Sequence, residues 1–242
     1  MKKENTIKHH GSKDAPVMEN YNLIILDRSG SMQSIRQYAV GAVNETLGTI
    51  RSHQKSKSAT ECSYVTLVEF CGCNRQKVIY NNEPVENCPN ITEDDYEPCC
   101  STPLYDAMGI GITQLSKQVK HKRNAAVQVT IITDGYENCS IEYDRYDIAK
   151  LIERFKEEGW LFVYMGADHD VASVAMELKI TNHLEFDKSA AGVKAMSKKF
   201  NACSDRWRGA RGALAAKFYS LDMPMCKFEE ERRNLNDNFF DK

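Results

Sequence analysis

Apolar and polar positions divide the chain into short strand-like runs and longer stretches that repeat every three or four residues. Leu23 to Leu26 is a four-residue apolar run that stops at Asp27, the pattern of a short strand buried on both faces. Ser63 to Phe70 and Gln76 to Tyr80 are β-rich runs joined by Cys71-Gly72-Cys73-Asn74, which predicts a hairpin. Val127 to Thr133, Trp160 to Met165 and Leu184 to Phe186 supply three further strands. Met32, Ile35, Ala39, Val43, Leu47 and Ile50 recur at helical spacing and predict an amphipathic helix over 33–54. Leu104, Met108, Ile112, Leu115 and Val119 predict a second, over 104–121. Ile148, Leu151, Ile152 and Phe155 mark a third, over 143–158, which Gly159 stops. Gly166 to Asp170 cap a short helix that runs to about Leu178, and Val193, Met196, Phe200, Cys203 and Trp207 stripe a last one. Residues 81–101, with three prolines and the acidic Glu93, Asp94, Asp95 and Glu97, read as an exposed loop.

Strands alternating with helices build an α/β fold, an open and mostly parallel six-stranded sheet with helices on both faces. No internal repeat is present. The organisation expected is a flexible N-terminal tail over 1–19, one domain over 20–208 and a C-terminal extension over 209–242. Around the start of that extension Arg206, Arg208 and Arg211 are followed by the acidic Glu229 to Glu231, which leaves partner docking and disorder as alternatives.

Composition then narrows the classes of partner. Thirty-two Lys and Arg against thirty-four Asp and Glu give a net charge of −2, so bulk charge argues for neither nucleic acid nor an anionic membrane. No apolar run approaches the ~20 residues of a membrane span. The first residues are polar through Asn20 and lack the apolar stretch of a secretion signal, so a cytoplasmic location is expected. In that compartment the nine cysteines are expected to be mostly reduced thiols. Cys71, Cys73, Cys88, Cys99 and Cys100 crowd together, but C-x-C and C-C are not the usual zinc pairs, so zinc is expected to be absent.

The chemistry concentrates at the end of the first strand. Asp27, Ser29 and Ser31 alternate, with Gly30 between the serines, and together offer one carboxylate and two hydroxyls on one turn. Hard oxygen donors suit Mg²⁺ or Mn²⁺ and suit zinc poorly. Strand ends are also where open α/β sheets bind ligands. Two later segments match: Ser101-Thr102-Pro103 places a threonine hydroxyl just before a helix, and Thr133-Asp134-Gly135 ends a buried strand in a carboxylate.

In these residues the chain resembles the von Willebrand factor type A (vWA) domain family. Its metal-ion-dependent adhesion site (MIDAS) is written D-x-S-x-S, then a T before a helix, then D-G after the fourth strand. The resemblance spans roughly residues 20–190 and implies a Rossmann-like sheet with one antiparallel edge strand. It implies a divalent ion, Mg²⁺ or Mn²⁺, over Asp27, Ser29, Ser31, Thr102 and Asp134, with the hydroxyls as direct ligands and the aspartates acting largely through water. An ion with few carboxylates remains electrophilic and takes a ligand from an Asp or Glu of a partner protein. Arg28, Ser101, Tyr105 and Gly135 would then form the partner-binding rim. The phrase Phe162 to Asp170 is similar to small stand-alone bacterial intracellular vWA proteins, which commonly act as adaptors, for example beside AAA+ ATPases. The expected function is protein binding without a chemical step.

Two other classes compete. A Mg²⁺-dependent phosphohydrolase would use Asp27 as nucleophile, yet Ser29 stands where such enzymes usually carry a second carboxylate. A cysteine-based zinc or redox sensor is the third class. The family often has Gly-Gly before its threonine, whereas Cys100 and Ser101 precede Thr102 here, which implies a stiffer or redox-sensitive loop. Gly109-Ile110-Gly111 lies inside a helix and is no nucleotide fingerprint. Lys117, Lys120, Lys122 and Arg123 read as solvated charge, Asp106 and Asp168 as helix caps ahead of rim contacts, and His9-His10 as part of the tail.

Overall fold

The computed structural model describes residues 17–57, 59–73, 75–122, 124–167, 170–220 and 223–241. His9, His10, Arg123 and Asp168 lie outside them. The strands are β1 (Met18–Asp27), β2 (Glu61–Cys71), β3 (Arg75–Pro84), β4 (Ala125–Thr133), β5 (Leu161–Gly166) and β6 (Asn182–Glu185). The helices are α1 (Arg36–Lys57), α2 (Leu104–Val119), α3 (Arg145–Glu157), α4 (Val171–Glu177), α5 (Ala190–Ser220) and α6 (Met225–Asp237). One sheet runs in the order β3-β2-β1-β4-β5-β6, with β3 antiparallel to β2 and every other pairing parallel. The expected open, mostly parallel six-stranded sheet with one antiparallel edge strand is therefore present.

Successive residues of β1 point to opposite faces, and both faces are covered. Ile24 and Leu26 join one apolar cluster with Leu47 and Ile50 of α1 and Phe200 and Trp207 of α5. Leu23 and Ile25 join the other with Met108 and Ile112 of α2 and Ile148 and Ile152 of α3. A strand enclosed this way has no polar side to display, which is why the run Leu23 to Leu26 is uniformly apolar. Gly159 adopts a left-handed φ of 87° just after α3, as a helix stop requires.

β1 is nevertheless ten residues long. Its first half hides behind polar side chains that are buried because they are paired. Asn20 Nδ2 donates to Glu61 Oε2 at 2.8 Å, and Asn22 Nδ2 donates to the Tyr64 carbonyl at 3.1 Å. The strand begins at Met18, inside the span expected as tail. The helix expected from residue 33 opens with a 3₁₀ turn over Gly30–Ile35 before α1 begins. The loop after β3 is not wholly exposed, since Val85, Cys88, Ile91 and Tyr96 are buried against the sheet.

The largest correction lies at the C-terminus. The boundary expected at 208/209 falls in the middle of α5, and Arg208 and Arg211 are buried rather than displayed. The apolar stripe continues to Leu214, and α6 folds back over it. Asn236 is the pin: its Oδ1 accepts from Trp207 Nε1 at 2.9 Å, its Nδ2 donates to the Gly159 carbonyl at 3.1 Å, and its carbonyl accepts from Asn182 Nδ2 at 2.8 Å. Residues 225–237 form a helix packed on α5.

Candidate metal site

Parallel strands aligned in one sheet end together, so the carboxyl ends of β1 and β4 bring Asp27 beside Thr133 and Asp134. Asp27 is fully buried. Its Oδ1 accepts the Ser29 backbone N–H at 2.6 Å and its Oδ2 accepts the Thr133 hydroxyl at 2.6 Å. Burial, reinforced by the charge of Asp134, outweighs these bonds and pushes its carboxyl up to about 6. The Tyr96 hydroxyl donates to the Asp27 carbonyl and closes the floor.

The three hydroxyl positions converge above this floor. Ser29 Oγ and Ser31 Oγ are 3.0 Å apart, and Ser31 Oγ donates to Asp134 Oδ1 at 2.5 Å. A Cβ built on Gly135 would stand 3.5 Å from Ser31 Oγ and 3.7 Å from Thr102 Oγ1, so a glycine here leaves the space between them open. The other oxygen of Asp134 is buried and lies 2.8 Å from Lys188 Nζ, which reaches in from the β6–α5 connection. A cation therefore already sits against this carboxylate. Five oxygen-bearing side chains from three loops, two of them buried carboxylates, form a hard donor set that fits a divalent ion of the Mg²⁺ or Mn²⁺ kind.

The neighbouring loops hold Thr102 in place. Its N–H donates to Asn138 Oδ1 at 2.8 Å and its carbonyl accepts from Asn138 N at 3.2 Å. Glu137 Oε2 accepts the Tyr105 N–H at 3.0 Å, while its Oε1 accepts the N–H groups of Cys139 and Ser140. Asp106, expected as a helix cap, instead takes the N–H groups of Ile141, Glu142 and Tyr143 at 2.8–2.9 Å and fastens the β4–α3 connection to α2. Gly30 has no left-handed backbone; its N–H donates to the Cys100 carbonyl at 3.0 Å.

Of the four expected rim residues, Ser101, Tyr105 and Gly135 are half-buried near the site. Arg28 is not at a rim. It is 6 % exposed and turns under the loop, with Nε 3.5 Å from Glu69 Oε2 and Nη1 donating to the Glu97 carbonyl at 2.9 Å. The cause is Glu69, a buried carboxylate on the interior strand β2 that needs a counter-charge. Thr133, Tyr96, Asn138 and Lys188 carry parts of the site that the motif does not name. Thr133 stood in the quoted Thr-Asp-Gly, whereas nothing in the sequence ties Lys188 to Asp134.

No model of a known protein family and no curated protein sequence matches the chain. Solved structures do. The von Willebrand factor type A protein from Catenulispora acidiphila superposes with a TM-score of 0.56 at 16 % identity, covering 78 % of this chain and 43 % of that one. The fold is that of a vWA domain. Proximal thread matrix protein 1 from the mussel byssus, solved with a zinc-occupied MIDAS motif, matches at 0.54 and 12 % identity over 79 % of this chain and 47 % of that one. The pilus adhesin SpaC from Lactobacillus rhamnosus GG, in its open conformation, matches at 0.54 and 15 % identity over 79 % and 30 %. The chain thus spans less than half the length of these three structures. Among the described residues no helix is long and apolar enough to cross a membrane.

Proposed function

We propose that this vWA domain is a metal-dependent protein-binding module. In this reading Asp27, Ser29, Ser31, Thr102 and Asp134 hold Mg²⁺ or Mn²⁺, and the ion captures an Asp or Glu side chain of a partner protein. The observation that carries the reading is the convergence of these five side chains from the ends of β1 and β4 and the loop before α2. The mussel protein with its zinc-occupied MIDAS motif supports a divalent ion at such a site. When bound, the ion supplies a Lewis-acidic position for an anionic oxygen. Ser101, Tyr105 and Gly135 flank that position, and Tyr136 and Ile141 on the β4–α3 connection and Tyr146 on the first turn of α3 stand exposed, an apolar margin suited to a protein surface.

The hydrolase reading is weaker. Asp27 is fully buried, and both its oxygens are already engaged by Ser29 N–H and the Thr133 hydroxyl, so it does not present itself to a phosphoryl group. We therefore propose a non-enzymatic adaptor working in the cytoplasm with a protein partner such as an AAA+ ATPase. Calorimetric titration of Mn²⁺ into chelator-treated protein is expected to reveal a site that Asp27→Ala abolishes, and a glutamate-bearing peptide is expected to bind only with metal present. Binding of neither Mg²⁺ nor Mn²⁺ by the wild type would overturn the reading. Metal-dependent phosphate-ester turnover lost in Asp27→Asn would favour the hydrolase.

A further inference from the structure

Beside the Thr102 loop lies a second group of metal-binding side chains, made of sulfur. Cys71 ends β2, Cys73 lies in the β2–β3 turn, and the loop before α2 carries Cys99 and Cys100. A backbone bond joins the two: Gly72 N–H donates to the Ser101 carbonyl at 2.8 Å, while Cys99 N–H ties the second loop to the Arg28 carbonyl at 2.9 Å. The sulfur atoms of Cys71, Cys73 and Cys99 all lie within 4.8 Å of one another. Cys71 Sγ and Cys99 Sγ are 3.2 Å apart, and Cys73 is bridged to Cys100. The fourth sulfur therefore belongs to the same cluster.

We propose that in the reduced protein Cys71, Cys73, Cys99 and Cys100 together bind one zinc ion, a structural site separate from the oxygen site over Asp27. Four thiolates around zinc at about 2.3 Å stand roughly 3.8 Å from each other, a spacing inside the 4.8 Å that Cys71, Cys73 and Cys99 already keep, and opening the Cys73–Cys100 bond lets that pair separate to it. A single disulfide engages two cysteines and gives no account of the second pair brought to the same point. Soft sulfur donors select zinc over Mg²⁺, whereas hard oxygen donors suit Mg²⁺. The charge is also provided for. Four thiolates leave a zinc site at −2, and Arg28 Nη2 donates to Cys71 Sγ at 3.1 Å while Nη1 faces Cys99 Sγ at 3.7 Å. That contact gives the buried guanidinium a role beyond its pairing with Glu69.

The bridged form is the oxidised, metal-free state. Two molecules of a small thiol reductant give up two electrons and two protons to the Cys73–Cys100 bond, become one disulfide and leave two cysteine thiols. Zinc binding then releases the four thiol protons to solvent. The site joins the β2–β3 turn to the residues immediately before Thr102, so zinc fixes the loop that presents the Thr102 hydroxyl.

The test is metal analysis by mass spectrometry on the full chain purified under reducing conditions with zinc supplied. One zinc per chain is expected, retained in Asp27→Ala and reduced by at least about tenfold in Cys71→Ser and Cys99→Ser. Because these serine variants risk misfolding, Co²⁺ is also titrated into reduced, zinc-depleted wild type. Intense thiolate-to-cobalt bands with tetrahedral d–d bands are expected. Wild type that retains no zinc and shows no thiolate–cobalt bands overturns the proposal. So does zinc that survives in the cysteine variants and leaves in Asp27→Ala, which would place it in the oxygen site.

Discussion

Lys188 Nζ stands 2.8 Å from Asp134 Oδ2, joining the β6–α5 connection to the centre of the candidate metal site. The ammonium offsets a carboxylate that is otherwise buried next to Asp27. A divalent ion and Lys188 therefore compete for the same negative charge. Lys188→Met is expected to tighten Mn²⁺ binding by about 5- to 10-fold, the size of one partly screened charge pair, measured by calorimetry at fixed ionic strength. Unchanged or weaker binding would mean that Lys188 does not oppose the ion.

Asp27 sets the pH dependence. Burial holds its carboxyl at about 6 in the metal-free chain, and only the ionised form serves a cation. Mn²⁺ affinity is expected to fall as the pH drops through 6, by about tenfold per unit below it. The stability effect has the opposite sign. A carboxyl raised in the folded state contributes stability that is fully present below its ordinary value of 3.8 and is lost as the pH rises through 6. Asp27→Asn keeps an acceptor for Ser29 N–H and turns an amide toward Thr133 Oγ1, so the metal-free variant is expected to melt higher than wild type at pH 7. A lower melting temperature would show that its hydrogen bonds outweigh the desolvation.

The parts of this site legible in the sequence were those fixed by strand ends. Asp27, Thr133 and Asp134 follow apolar runs whose uniform burial reveals their strands, and register in a parallel sheet then brings them together. What escaped was whatever depended on distant pairing. Asn20 and Asn22 look like loop residues until Glu61 and Tyr64 satisfy them, so β1 looked half its length. Arg28 reads as a rim charge in a motif and becomes internal only because Glu69 is buried on the neighbouring strand. The arginines of α5 look like a solvated tail because their burial depends on how α5 packs between the sheet and α6. The nearness of Cys71, Cys73 and Cys99 was hidden as well, because two separate segments bring them together.

The C-terminal helix can be tested through one side chain. Asn236 meets Trp207, Gly159 and Trp160 through its side-chain amide. Asn236→Ala leaves the Trp207 indole N–H and two carbonyls buried without this partner, at about 2–4 kcal/mol. Urea denaturation is expected to show a lower midpoint at unchanged slope. A cost below about 0.5 kcal/mol would indicate that α6 is dispensable to the domain.

Arg28 and Glu69 give the sharpest test of why a motif residue is buried. Burial pushes the Glu69 carboxyl up to about 7, against the pull of Lys77 and Arg28. Its folded value is raised, so its contribution to stability is fully present below its ordinary value of 4.5 and is lost as the pH rises through 7. Removing Arg28 takes away one of the two cations facing it, and the loss is felt most where Glu69 is charged. Arg28→Met is therefore expected to destabilise the chain more at about pH 8.5 than at about pH 5.5. A second change, Glu69→Gln, removes the stranded charge and is expected to recover most of the difference between the two pH values, while the pH-independent part, from lost bonds to the Glu97 carbonyl and the cysteine sulfurs, remains. Equal destabilisation by Arg28→Met at both pH values, or no recovery in the double variant, would show that Arg28 is held there by the loop and its sulfurs rather than by Glu69.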